Sequence, residues 1–162
     1  MKSAVYAIFA AFVTIAFLQP LIETANLLTE KVRLDSALLN SCRAARYNSL
    51  VDERMRDLNA EIEEDIFKEY FAEAFSQTLK LNILSPESGK MAFSSSHGGR
   101  YEKITVALSI SPSEDFGGRS VAVAELDLST PYVFQTALLR RVASGSAYQI
   151  NERRLFKIQV VN

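Results

Sequence analysis

The sequence predicts an α+β protein in which a long N-terminal helix precedes a second, amphipathic helix and a small antiparallel β-sheet. Three observations predict this order: residues 4–18 carry no charge, residues 21–50 place apolar side chains every three or four positions, and the chain after residue 84 alternates apolar and polar side chains. The first two patterns are typical of helices, and the third is typical of strands that bury one face. We therefore expect two helices and then three to five antiparallel strands.

The N-terminal segment is apolar enough to be a membrane helix. As a helix, residues 4–18 span about 22 Å, and residues 19–22 extend the apolar run to roughly the thickness of a bilayer core before Glu23. Pro20 removes one backbone hydrogen bond, which membrane helices tolerate. The sequence therefore predicts a transmembrane segment over residues 1–22.

A cleaved signal peptide is the alternative, with Lys2 as its positive end and residues 4–18 as its apolar region. No small-x-small cleavage motif follows promptly, because the chain continues from Phe17 as FLQPLIE. The apolar period also continues beyond this point. We therefore favour an uncleaved anchor.

The flanking charges leave the orientation of the anchor open. Lys2 precedes it, while Lys31, Arg33, Arg43 and Arg46 follow it among acidic residues. A strict positive-inside count would place the C-terminal part in the cytoplasm, but long domains translocate largely regardless of charge. We expect the C-terminal domain to be extracytoplasmic.

Residues 23–50 are predicted to continue the anchor as a helical stalk, because no Gly or Pro lies between residues 21 and 84. Asp35 interrupts the apolar stripe of this stalk once. A turn at Asn48 and Ser49 is predicted to cap the second helix. One face of that helix is apolar and the other acidic; the apolar face contains Val51, Met55, Leu58, Ile62, Ile66, Phe67, Tyr70, Phe71, Ala74 and Phe75.

Residues 51–162 are predicted to form one domain from this helix and the sheet. The turn cluster at residues 85–89 separates the helical part from the strands. The predicted strands cover residues 91–93, 104–111, 120–128 and 155–161, and residues 132–142 are predicted as a loop with one short helix.

Composition excludes several classes of function. The net charge of −1 and pI near 5.9 provide no electrostatic surplus for nucleic acid. One Cys and one His exclude a cysteine-based zinc site. His97 lies in a Ser/Gly loop, and no Gly-x-Ser-x-Gly motif accompanies it. We expect no catalytic residue, metal, cofactor or small-molecule substrate.

Two polar positions in the first helix have competing interpretations. Cys42 adjoins Arg43, and a neighbouring arginine can activate a thiol; however, the only His is on a distant loop, and cysteine is among the most buried residue types. We expect Cys42 to be a packing residue.

Glu23 ends the apolar run, where it either marks the headgroup region or meets a positive charge of a neighbouring subunit.

Residues 20–47, PLIETANLLTEKVRLDSALLNSCRAARY, resemble the TadE-like pseudopilins of tight-adherence pilus systems. Proteins of that family have an apolar helix containing Pro, then an apolar residue followed by Glu, then a helix rich in small residues and arginine. The resemblance implies a pilin-like, single-span subunit of a bacterial pilus, secretion or conjugation apparatus. The matching residues are Ile22, Glu23, Ala37, Leu38, Asn40, Arg43, Ala44, Ala45, Arg46 and Tyr47.

Such a subunit would assemble by lateral packing of its N-terminal helix with copies of itself or related subunits in membrane lipid. Small side chains in the stalk would let helices approach closely, so a large residue at Ala45 is expected to disrupt assembly and leave the domain from Val51 onward folded. The predicted assembly interface contains Glu23, Ala37, Ser41, Cys42, Arg43, Ala44, Ala45, Arg46 and Tyr47.

Two other functions stay open at the level of sequence. A membrane-anchored extracytoplasmic binding or sensor module would have a ligand pocket in its sheet domain and would be a monomer in detergent. A secreted enzyme would have lost its signal peptide, so that its mature N-terminus would lie within residues 19–27.

Overall fold

The predicted order of helices and strands is confirmed in a computed structural model that describes residues 2–49, 64–87, 89–95, 101–114, 120–134, 136–142 and 148–158. A long helix is followed by a second helix and a five-stranded antiparallel sheet, with a short third helix before the last strand. The elements are α1 (Lys2–Ser49), α2 (Glu64–Leu79), β1 (Leu81–Glu87), β2 (Lys90–Ser95), β3 (Ile104–Glu114), β4 (Ser120–Tyr132), α3 (Ala137–Val142) and β5 (Tyr148–Ile158).

Helix α1 is one continuous helix of 48 residues, with Pro20 inside it. The hydroxyl groups of Thr14, Thr24 and Thr29 each donate to the carbonyl oxygen four residues earlier, at 2.8–2.9 Å. Such bonds satisfy the hydroxyl within the helix itself. The helix is therefore continuous from Lys2 to Ser49, and the predicted start of the second helix at residue 51 lies outside the described residues.

Helix α2 ends five residues earlier than the change of period at residue 84 predicts. Lys80 has a φ of 55°, a left-handed conformation that commonly terminates a helix. The residues that follow form β1, which pairs with β2 in a regular register from Leu81↔Ser95 to Leu84↔Ala92. Pro86, predicted to lie in a turn, belongs to β1, which is an edge strand with a register shift and so tolerates a proline.

The sheet is a meander in the order β1-β2-β3-β4-β5. The longest pairings are those of β4 with its two neighbours. Strand β4 pairs with β3 from Thr105↔Ser129 to Glu114↔Ser120 and with β5 from Ala122↔Ile158 to Tyr132↔Tyr148. Strand β5 therefore begins at Tyr148, earlier than the predicted residue 155, because β4 offers it a partner along this whole length. Residues 159–161 of the predicted strand lie outside the described residues.

The core lies between one face of the sheet and the two long helices. The alternation predicted for β3 and β4 is confirmed, since Ile104, Val106, Ala124, Leu126 and Leu128 are buried. The helices contribute Leu34, Leu38, Phe67, Phe71 and Phe75, all of which have no exposed surface. The opposite face of β3 and β4 carries Ser109, Glu125 and Asp127, which are exposed or half-buried. The described part of the chain thus packs helices against one face of the sheet.

Candidate assembly surface of the N-terminal helix

Within the described part of the chain, residues 3–22 of α1 are exposed, apart from the half-buried Val13 and Pro20. The most apolar 18-residue window of the helix has a mean hydropathy of 2.1, and none of that window is buried. The helix is therefore long and apolar enough to cross a membrane, by length and composition. The large apolar side chains that it exposes are Val5, Tyr6, Ile8, Phe9, Phe12, Ile15, Phe17, Leu18, Leu21 and Ile22.

The second half of α1 is part of the core. Its inward face combines Leu34 and Leu38 with the small residues Ala37, Cys42 and Ala45, all 2% exposed or less. The small side chains leave room for the phenylalanine rings of α2, which belong to the same cluster of buried residues. This half of the helix is thus covered by the chain's own second helix and sheet.

Polar contacts along α1 bind it to the sheet domain. The hydroxyl of Tyr101 donates to the carboxylate of the buried Glu30. Lys31 Nζ lies 3.2 Å from Glu152 Oε1, one helical position further along.

Asp35 accounts for the break in the apolar stripe of the stalk. Its carboxylate accepts two hydrogen bonds from Arg154 of β5, with 2.8 Å between Arg154 Nη2 and Asp35 Oδ2. The hydrogen bond that Arg154 donates to Asp35, and secondarily the charge of that carboxylate, raise the pKa of Arg154. A bidentate carboxylate–guanidinium pair fixes relative orientation, so the direction of α1 is held relative to the sheet.

Glu23 lies where the exposed half of α1 meets the packed half. Its side chain is only 7% exposed, and its Oε2 accepts a hydrogen bond of 2.9 Å from the backbone N–H of Thr136, just before α3. The carboxylate expected to face a neighbouring subunit thus has a partner within its own chain. This hydrogen bond connects Thr136, which lies between β4 and α3, to the end of the apolar segment of α1.

The other predicted interface residues divide between the core and the surface. Ala37, Ser41, Cys42 and Ala45 are buried, and the Ser41 hydroxyl donates to the Ala37 carbonyl oxygen at 2.7 Å. These four cannot form an exposed packing face, which corrects the expectation drawn from their spacing: their small size serves the contact with α2. Arg43 and Tyr47 are exposed, and Ala44 and Arg46 are half-buried, so a subunit contact through these four stays a prediction.

A second set of small residues lies in the apolar half of α1, where all of its members are exposed. At 100° per residue, they fall within an arc of roughly 120° on one side of the helix, and the aromatic side chains lie outside this arc. The 3.6-residue period of this set is visible in the sequence. We call these residues the small-residue face: Ser3, Ala4, Ala7, Ala10, Ala11 and Thr14.

Cys42 is a buried free thiol. Its side chain has no exposed surface, and burial raises its pKa from 9.0 to about 12. The described residues also contain no group of three or more His, Cys, Asp or Glu side chains that could hold a metal ion. His97 lies outside the described residues.

We expect Cys42 of the folded protein to react with a thiol reagent near pH 8 about three orders of magnitude more slowly than the unfolded chain. The shift from 9.0 to about 12 lowers the thiolate fraction tenfold per pKa unit. The group also destabilises the fold at high pH: its folded pKa lies above its unfolded pKa, so stability is intact below pH 9 and falls as the pH rises toward 12. Ellman's reagent, with and without denaturant, measures the rate; equal rates in both states would contradict the burial of Cys42.

Comparison with protein-family models, with curated proteins and with solved structures finds no match to this chain.

Proposed function

We propose that the protein is a pilin-like structural subunit of a bacterial pilus, secretion or conjugation apparatus, anchored by α1 in the cell membrane with its sheet domain extracytoplasmic. The observation that carries the proposal is the division of α1 into an apolar segment whose large side chains are exposed and a second half built into the core. The resemblance of residues 20–47 to TadE-like pseudopilins points in the same direction.

The continuity of α1 favours an assembly subunit over a domain on a flexible tether. No break in the helix separates the apolar segment from the core, and the contacts of Glu23, Glu30 and Asp35 bind it to the sheet domain. The orientation of the anchor therefore sets the orientation of the domain. A structure built from packed N-terminal helices requires this coupling, because each helix contact then fixes where the next domain lies.

The same continuity supports an uncleaved anchor. Cleavage within residues 19–27 would cut α1 inside a regular helical stretch. Cleavage beyond Glu23 would also remove the carboxylate that bonds to Thr136.

The small-residue face provides the packing surface that the stalk does not. Within lipid, helix association depends on close approach of backbones and van der Waals packing, which small side chains permit. The Thr14 hydroxyl is satisfied by the Ala10 carbonyl oxygen at 2.8 Å, so this polar residue can enter an apolar contact at little cost. We propose that copies of this subunit associate with one another, and with related subunits of the apparatus, through this face.

Replacing Ala7 with leucine is expected to weaken self-association of the full chain in vesicles roughly tenfold, or about 1.4 kcal/mol, because the larger side chain holds the helices apart. Ala16→Leu is the matched control. Ala16 is exposed in the same helix but nine positions away, which places it on the opposite side.

Resonance energy transfer between labelled copies at several protein-to-lipid ratios would measure the association. Loss of transfer in Ala7→Leu with retention in Ala16→Leu is the expected result. Equal association in both variants would exclude the small-residue face as the contact, and a monomer at every ratio for the unaltered chain would overturn the proposed homotypic assembly.

A further inference from the structure

Thr136, between β4 and α3, lies at the level where the apolar segment of α1 ends. About 20 residues precede Glu23 in that segment, the length of a membrane span. Glu23 Oε2 lies 2.9 Å from the Thr136 nitrogen. The start of α3 is thus one hydrogen bond away from the first charged residue after the apolar segment.

The direction of β5 is a second, independent observation that places the start of this strand near Glu23 along the axis of α1. Lys31 contacts Glu152 and Asp35 contacts Arg154, so β5 runs in the same direction as α1. Tyr148 precedes Glu152 by about 13 Å of strand, and Glu23 precedes Lys31 by about 12 Å of helix. The first residue of β5 therefore lies near the level of Glu23.

The side chains at the end of β4 and the start of β5 are of types that are common at membrane interfaces. Tyr132, Phe134 and Tyr148 form an aromatic cluster, with ring centroids 5.3 Å apart for the first two and 6.0 Å for the last two. Val133, between the first two, is 62% exposed, and Tyr148 is 41% exposed. Tyrosine side chains are enriched at the headgroup level, where the ring meets apolar atoms and the hydroxyl meets water.

Two arginines complete the surface. Arg140 and Arg141 are exposed at the end of α3, and the Arg140 Nε donates to the Phe134 carbonyl oxygen at 3.1 Å, which holds α3 beside the aromatic cluster. Guanidinium groups at this level can bind lipid phosphates while their methylene stems cover apolar surface. We name Tyr132, Val133, Phe134, Arg140, Arg141 and Tyr148 the hairpin end.

We propose that the hairpin end rests on the headgroup region of an anionic phospholipid bilayer, so that the protein contacts the membrane both through α1 and through the end of its sheet. The inference rests on the proposed membrane span. With two points of contact, the tilt of the domain relative to the bilayer is fixed, whereas a span alone would leave it free to rotate and lean. The partner is the bilayer itself, because the surface combines exposed apolar and aromatic groups with positive charge at the level where the span ends.

Depth-dependent fluorescence quenching of the full chain in vesicles tests the inference. The vesicles contain equal parts of phosphatidylcholine and phosphatidylglycerol, with a nitroxide quencher on either the lipid headgroup or the middle of the acyl chain. A fluorophore is attached to a new cysteine in Val133→Cys, Phe12→Cys or Leu155→Cys, since Cys42 is buried. Val133 and Leu155 are matched in exposure, at 62% and 66%, but Leu155 lies about 23 Å along β5 from Tyr148.

The expected result is quenching of the Val133 label mainly by the headgroup nitroxide, of the Phe12 label mainly by the acyl-chain nitroxide, and of the Leu155 label by neither. A Val133 label as unquenched as the Leu155 label, with the Phe12 label still quenched, would overturn the hairpin contact and leave the span standing. An unquenched Phe12 label would overturn the span and, with it, this inference.

Arg141→Gln tests the electrostatic part of the contact. One arginine near an anionic surface contributes about fivefold to the binding equilibrium, so headgroup quenching of the Val133 label should fall in the variant. The control is Arg43→Gln, an exposed arginine of α1 roughly 30 Å along the helix from Glu23. Equal quenching in both variants would overturn the role given to Arg141.

Discussion

Replacing Phe71 with alanine is expected to lower the free energy of unfolding by about 3–5 kcal/mol. Phe71 has no exposed surface, and its ring stacks on Phe75, which in turn contacts Phe93 of β2, with centroids 5.6 and 5.0 Å apart. Phe71 belongs to the core cluster shared by α1, α2 and the sheet, so loss of the ring would leave a cavity among these elements.

Urea unfolding of the full chain in a mild detergent, followed by circular dichroism, measures this change. Tyr47→Ala is the control, since Tyr47 is 81% exposed and surface truncations usually change stability by about 0.5 kcal/mol or less. Similar losses in the two variants would show that Phe71 does not hold α2 against the sheet.

Replacing Ala45 with leucine is expected to destabilise the fold by about 1–3 kcal/mol through overpacking. Ala45 has no exposed surface and belongs to the same core cluster as the phenylalanines of α2. The added atoms would force α1 and α2 apart or push side chains out of their preferred rotamers. This expectation differs from the one based on sequence alone, in which a larger residue at Ala45 disrupts assembly without affecting the domain.

Ala25→Leu is the matched control, because it makes the same substitution at an exposed position of the same helix. Unfolding midpoints and self-association of both variants, measured under identical conditions, separate the two roles of Ala45. Lower stability in Ala45→Leu alone would support the core assignment. Unchanged stability with lost association would return Ala45 to the subunit interface and contradict its place in the core.

The sequence predicted the elements of this fold because their signals are local. The alternation of residues 104–110 was enough to identify β3 and its buried face. The apolar side predicted for α2 included Phe67, Phe71 and Phe75, which are buried, but also Tyr70, which is exposed. The boundary at Leu79 was missed because only the left-handed conformation of Lys80 and the pairing of β1 with β2 reveal it. Neither leaves a distinctive pattern in the sequence.

The sequence could not predict in the same way which part of the chain each polar residue of α1 contacts. Asp35 appeared as an interruption of an apolar stripe, and its partner Arg154 lies 119 positions away. Glu23 was interpreted either as a marker of the headgroup region or as a partner for a charge of another subunit, and it accepts a hydrogen bond from the Thr136 backbone, 113 positions away. A residue's type and period show that it needs a partner, and only the tertiary arrangement shows which part of the chain supplies it.

The sequence by itself therefore determined an α+β chain with one long helix, apolar along its first half, and with strands that bury one face. The tertiary structure decided which small residues of that helix are available to other molecules. Ala37, Ser41, Cys42 and Ala45 are covered by the chain's own core, whereas the small-residue face of residues 3–14 is exposed. The physical reason is that both sets have the same helical spacing and size, so their local pattern is equivalent. What distinguishes them is that α2 and the sheet fold back over the second half of α1 only.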